Sequence, residues 1–159
     1  MTAGEARGAG EAGEAGEAAT GHIVVGVDGS EASVSALRWA ARQGGLTGAA
    51  VEVVACWEWP STYGWGMPVP ADYHPDADAE SALEQLVAGV RAAHPDVAFV
   101  PRVVEGHPAR VLVELSAGAD LLVVGSRGHG EFAGMLLGSV STHCVAHAHC
   151  PVLVMRDDD

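Results

Sequence analysis

Asp120-Leu121-Leu122-Val123-Val124-Gly125-Ser126-Arg127-Gly128-His129-Gly130 is the stretch on which the fold turns. Four large apolar residues in a row suit a strand covered on both faces, since a half-exposed strand alternates apolar with polar. Gly125 ends the run in a glycine-rich loop that reaches Gly138-Ser139-Val140-Ser141. Beyond it, Leu137, Val140 and Cys144 recur at helical spacing. Strand, glycine loop and helix in that order form one half of a parallel crossover unit.

The same unit repeats on either side. Upstream, Ile23, Val24, Val25 and Val27 form a short apolar run closed by Asp28-Gly29-Ser30. Ser30 suits an N-cap with Glu31 in the first turn, and Val34, Leu37 and Ala41 predict a helix ending near Gly44-Gly45. Val51, Val53 and Val54 start a second strand that runs to Trp57. A long loop follows, with Pro60, Tyr63, Trp65, Pro68, Pro70, Tyr73 and Pro75. Its aromatics fit a lid, an ordered cover over the sheet edge, or a partner surface. Leu83, Leu86, Val87 and Val90 mark a second helix, and Val97 to Val104 a third strand. Pro101 places that strand at an edge, because proline cannot donate to a sheet ladder. Pro108 opens a third helix with Val111, Leu112 and Leu115. Val152, Leu153 and Val154 close the chain with a last strand. The order β-α-β-α-β-α-β-α-β predicts an α/β domain: a doubly wound, open, parallel five-stranded sheet with helices on both faces. Its ligand belongs beyond the carboxyl ends of the strands, where strand order reverses.

Composition bounds the partners. The 159 residues suit one domain, and the formal charge is −13. So acidic a chain repels nucleic acid and anionic membranes, and neither is expected as a partner. A small anion stays possible, because local dipoles hold it. Residues 1–20, rich in Gly, Ala and Glu, cannot bury enough apolar surface to fold and are expected as a disordered acidic tail. The expected domain spans 21–156, and Asp157 to Asp159 form a second acidic tail. Cys56, Cys144 and Cys150 show no disulfide spacing, which suits a reducing cytoplasm. No apolar run reaches the ~18 residues of a membrane span.

In the glycine loop, successive backbone N–H groups can cradle anionic oxygens, glycine permits positive φ and close approach, and the following helix N-terminus adds orphan donors. Ser139 and Ser141 add hydroxyls. A P-loop is excluded, because it needs a lysine and the chain has none. Gly128-x-Gly130-x-x-Ala133 matches a dinucleotide fingerprint in form, but no acidic residue lies about 20 positions on to hold the ribose.

Gly125-x2-Gly128-x9-Gly138-Ser139 resembles the nucleotide-binding signature of the universal stress protein family. So do Gly26-Val27-Asp28-Gly29-Ser30, the approach from Asp120 to Gly125, and His149-Cys150-Pro151-Val152-Leu153-Val154. The resemblance covers residues 20–156 and implies an adenine-nucleotide α-hydrolase-like fold that binds ATP, with magnesium or manganese accompanying the triphosphate. It places phosphates against Gly125, Ser126, Gly128, Gly138, Ser139, Val140 and Ser141. It places the nucleoside against Gly26, Val27 and Asp28, and the adenine near Cys56. It also implies a homodimer through Val152 to Met155. The Ser-Gly-Gly-x-Asp-Ser loop of ATP pyrophosphatases is absent.

Other candidates have plain readings beside them. Arg127 and His129 either touch phosphate or are solvated loop residues. His143, Cys144, His147, His149 and Cys150 imitate a metal site, but Cys144 belongs to the apolar stripe, and no metal site is expected. Cys56 would need a depressed pKa and exposure to sense redox state. With no lysine to neutralise phosphate charge, no catalytic residue is expected. The expected function is a regulatory ATP-binding protein with little or no turnover. Its alternatives are a slow ATPase at the same site and an interaction module that binds no nucleotide.

Overall fold

The computed structural model describes residues 19–60, 66–128 and 136–157. The tail at 1–18, Tyr63, Trp65, His129, Gly130, Ala133, Asp158 and Asp159 lie outside the described residues. In chain order the elements are β1 (His22–Gly26), α1 (Glu31–Thr47), β2 (Ala50–Trp57), α2 (Pro75–Ala93), β3 (Phe99–Glu105), α3 (Pro108–Ser116), β4 (Leu121–Gly125), α4 (Ser139–His147) and β5 (Val152–Met155).

The strands pair in parallel in the order β3-β2-β1-β4-β5. The chain winds outward from β1 to β3, then crosses back to β4 and on to β5. Connections therefore leave the ends of β1 and β4 in opposite directions, and a crevice opens between them. This is the doubly wound α/β sheet that the alternating apolar runs predict.

Alternate strand residues serve two cores. Val25, Val51, Val53 and Val123 pack against Leu37, Ala40 and Ala41 of α1 and Leu83, Val87 and Val90 of α2. Val24, Val54, Leu122 and Val124 pack against Val111 and Leu112 of α3 and Cys144 of α4. Each such valine or leucine contributes about 1.5–3 kcal/mol on full burial. Cys144 is fully buried, as expected of a small apolar residue. The strands in the middle of the sheet are buried on both sides, which is why they read as apolar runs, broken among them only by Glu52 of β2. Pro101 lies on β3, an edge strand as expected.

Several boundaries differ from the sequence reading. Leu137, grouped by spacing with the last helix, lies before α4, whose N-cap is Gly138. α1 continues through Gly44-Gly45 and ends at Gly48, whose φ of 82° lets its N–H donate to the Gly44 carbonyl. Gly44 serves packing instead: a Cβ there would lie 3.0 Å from both the Ala49 carbonyl oxygen and Val51 Cγ2. α2 starts at Pro75, which occupies its first turn rather than the preceding loop. β3 starts at Phe99, because Val97 is held in a turn by its N–H bond to His94 O. Glu52 is a buried carboxylate on β2, paired at 2.9 Å with the Arg102 guanidinium and hydrogen-bonded at 2.9 Å to His22 Nε2.

Candidate functional site

A cavity of about 360 Å³ opens where the ends of β1 and β4 part. Its position follows from topology. In a parallel sheet every crossover helix begins at the carboxyl edge, so helix N-termini gather there. Here α1 brings Ser30 and Ser33, α3 brings His107 and Pro108, and α4 brings Ser139, Val140 and Ser141, with Gly138 as its N-cap. Each N-terminus presents N–H groups without intrahelical acceptors and a partial positive charge.

Eleven residues singled out from sequence line this cavity together: Gly26, Val27, Asp28, Cys56, Gly125, Arg127, Gly128, Gly138, Ser139, Val140 and Ser141. Ser126 sits beneath them, 3% exposed, and does not face the cavity. Its N–H donates to Met155 O, and its carbonyl accepts from Gly138 N–H and from the Ser141 hydroxyl. Ser126 thus closes the glycine loop onto the sheet. His129 lies outside the described residues.

The glycines act through space more than through dihedral angle. Positive φ occurs at Gly29, Gly48, Gly66 and Gly106, and at none of Gly125, Gly128 and Gly138. A Cβ on Gly125 would lie 2.8 Å from Ala32 Cβ and 2.9 Å from Ser33 N, inside the backbone of α1. A Cβ on Gly128 would lie 2.5 Å from Asp28 Oδ2. Gly125 lets α1 dock on the end of β4, and Gly128 lets the loop approach the Asp28 carboxylate. Gly138 takes an extended N-cap conformation.

Asp28 is held from its own turn. Its Oδ1 accepts from the Ser30 N–H at 2.9 Å and from the Ser30 hydroxyl. Its N–H donates to Ser33 Oγ at 3.2 Å, while Ser30 Oγ caps α1 through Ser33 N–H. The Ser141 hydroxyl was expected as a phosphate donor, but it is buried and directed at the carbonyls of Ser126 and Gly138, at 2.8 and 3.1 Å. Its visible work is to brace the loop. Arg127 Nη2 lies 3.5 Å from Asp157 Oδ2.

The opposite wall is built differently. Cys56, Glu58, His107, Pro108 and Leu112 line it. Burial pushes the Cys56 thiol up to about 11, with the neighbouring Glu58 charge adding to the rise and Arg110 opposing it. A thiol shifted this way is poorly suited to redox sensing. His107 caps α3, its Nδ1 accepting from Ala109 N–H at 3.2 Å. Glu58, His107 and Leu112 were not foreseen as site residues. A His-Pro pair opening a helix after Gly106 was the available signal for His107; Glu58 and Leu112 carry none. Among the described residues no group of three His, Cys, Asp or Glu side chains is placed to hold a metal, and no helix is long and apolar enough to cross a membrane.

The architecture has known counterparts. The universal stress protein family model matches residues 20–156. A universal stress protein of Mycobacterium tuberculosis is 38% identical over 141 residues, covering 85% of this chain and 45% of that protein. The chain thus spans about half the length of the curated relatives it matches. Among solved structures, a universal stress protein from Lactobacillus plantarum superposes with a TM-score of 0.70 at 22% identity, covering 88% of this chain and 100% of that one. A universal stress protein solved in complex with cAMP superposes with a TM-score of 0.66 at 28% identity, covering 88% and 99% of the two chains.

Proposed function

Since the chain belongs to the universal stress protein family, we propose that its cleft binds an adenine nucleotide, ATP in the first instance, as a regulatory ligand with little or no turnover. The observation that carries this reading is the convergence at the β1/β4 crevice. Three helix N-termini, the glycine loop and Asp28 meet around one cavity. Helix N-termini and backbone N–H groups suit phosphate oxygens, and they do so without lysine. The similar protein solved with cAMP supports adenine as the base.

In this reading the phosphates lie against the glycine loop and the first turn of α4. Asp28 faces the ribose, and Cys56 and its neighbours enclose the base. A magnesium or manganese ion arrives on the triphosphate itself, since the described side chains offer no cage for one. Low turnover follows from weak charge neutralisation. The chain has no lysine, and Arg127 is the one arginine among the described lining residues, so a single guanidinium is all the side-chain charge on offer. Phosphoryl transfer depends on such neutralisation. β5 completes the reading as a homodimer edge: it pairs on one side with β4, and its four residues are only half-buried.

The test is to denature purified protein and identify the released small molecules, with calorimetric titration of ATP in parallel. Adenine nucleotide in the released pool and saturable ATP binding are expected. An empty pool with no binding sinks the reading in favour of an interaction module. Phosphate release that disappears in Gly128→Glu replaces it with a slow ATPase.

A further inference from the structure

Arg127 is the cation that the glycine loop offers to the cleft, and its partner comes from the segment just after β5. β4 and β5 align Gly125 with Met155. The ladder extends one step further through Ser126 N–H to Met155 O, at 2.6 Å. This brings Arg127 and Asp157 side by side at the carboxyl edge of the sheet, where Arg127 lines the cavity.

Their contact is a poor one. Arg127 Nη2 and Asp157 Oδ2 stand at 3.5 Å, and both side chains keep about a third of their surface in solvent. Asp157 Oδ1 is buried and has no hydrogen-bond partner among the described residues. A carboxylate oxygen removed from water without a donor costs free energy, and a single long ion pair at the surface returns little of it. A guanidinium meets a phosphate group with two parallel hydrogen bonds. Exchange of Asp157 for phosphate therefore replaces a strained arrangement with a good one and returns the carboxylate to water.

We infer that Asp157 is an internal competitor for the ligand's phosphate: it occupies Arg127 in the empty cleft and leaves when a phosphorylated ligand takes its place. This rests on the nucleotide reading above. It makes Asp157 a determinant of affinity for phosphorylated ligands alone, and it links occupancy of the cleft to the segment that follows β5.

The experiment is calorimetric titration of ATP and of adenosine into the full chain, its Asp157→Asn and Arg127→Gln variants, and the double variant. Asp157→Asn is expected to bind ATP about 2–5-fold tighter, with adenosine affinity unchanged. Arg127→Gln weakens ATP binding, and in that background Asp157→Asn gives no further gain. One molar salt shrinks the gain, because the pair is partly open to solvent. Three results overturn the inference while leaving the nucleotide reading intact: unchanged ATP affinity in Asp157→Asn, an equal gain for adenosine, or a gain that persists in the double variant. The last would mean general repulsion in place of competition. If the full chain binds neither ATP nor adenosine, the nucleotide reading fails and this inference with it.

Discussion

The two walls of the cleft solve the same packing problem with opposite materials. The wall from β4 to α4 is mostly backbone: Gly125, Gly128 and Gly138, with the Ser141 hydroxyl turned inward to brace the loop. The wall from β2 to α3 is side chain: a thiol, a carboxylate, an imidazole and a leucine. A backbone wall can use only residues that leave the backbone bare, so its composition is constrained and visible. A side-chain wall accepts many residues of suitable volume, so it leaves no pattern. The glycine wall should therefore fail at single substitutions where the other tolerates them.

The largest effect is expected at Gly125, whose missing Cβ is filled by the backbone of α1. In Gly125→Ala the new methyl meets Ala32 and Ser33 atoms at 2.8–2.9 Å, and no side-chain rotation relieves it. Either α1 or the end of β4 must shift. Overpacking of this kind costs about 1–3 kcal/mol, which lowers the melting temperature by roughly 3–10 °C in a domain of this size. Calorimetry or circular dichroism measures it. A melting temperature within a degree or two of the parent breaks the claim that this glycine is required by packing.

Gly128 sharpens the contrast within the same wall. Its missing Cβ faces the end of a flexible side chain, Asp28 Oδ2 at 2.5 Å, so Gly128→Ala can be absorbed by rotating the carboxylate. Stability should then change by no more than about 1 kcal/mol. Ligand binding should suffer more, because the displaced carboxylate and the added methyl both enter the cleft. A loss of about tenfold or more in ATP affinity at nearly unchanged melting temperature is expected, equivalent to about 1.4 kcal/mol. Equal damage to folding and binding would show that the two glycines do the same job.

These differences explain what could be read from the chain alone. The fold was legible because strands of a covered parallel sheet read as mainly apolar runs, and here four of the five stand out. Pro101 even gave the edge position of β3. Gly44 looks like the stop of α1, yet its absent side chain makes room for the Ala49 carbonyl and Val51 and the helix runs on. At the site, the glycines located the loop, but their purpose was only partly visible. Sequence cannot distinguish a glycine needed for φ, as at Gly29 and Gly48, from one needed for space, as at Gly125. It likewise could not show that the Ser141 hydroxyl turns inward, since that depends on where the Ser126 carbonyl lies. Glu58 and Leu112 were silent because their role comes from the register of β2 and the seating of α3.

The smallest effect is expected on the side-chain wall, at Cys56. Its thiol contributes volume, and no donor or acceptor among the described residues relies on its sulfur, so Cys56→Ser should change ATP affinity by less than about threefold. The wild-type thiol offers a finer probe. With its folded pKa raised from 9 to about 11, the thiolate fraction at pH 8 falls by about two orders of magnitude, and reaction with a disulfide reagent slows accordingly. Cys150, less deeply placed and raised less, should react first, and fully buried Cys144 last. The sign for stability follows from the same shift. The folded state holds the Cys56 proton more tightly than the unfolded chain, so its contribution is complete below pH 9 and is lost as pH rises through about 11. Removing the thiol in Cys56→Ala should therefore flatten the alkaline fall in melting temperature between pH 9 and 11. Fast labelling of Cys56 at pH 8 that ATP does not slow would place the thiol outside a closed base-facing wall and remove the contrast between the two sides.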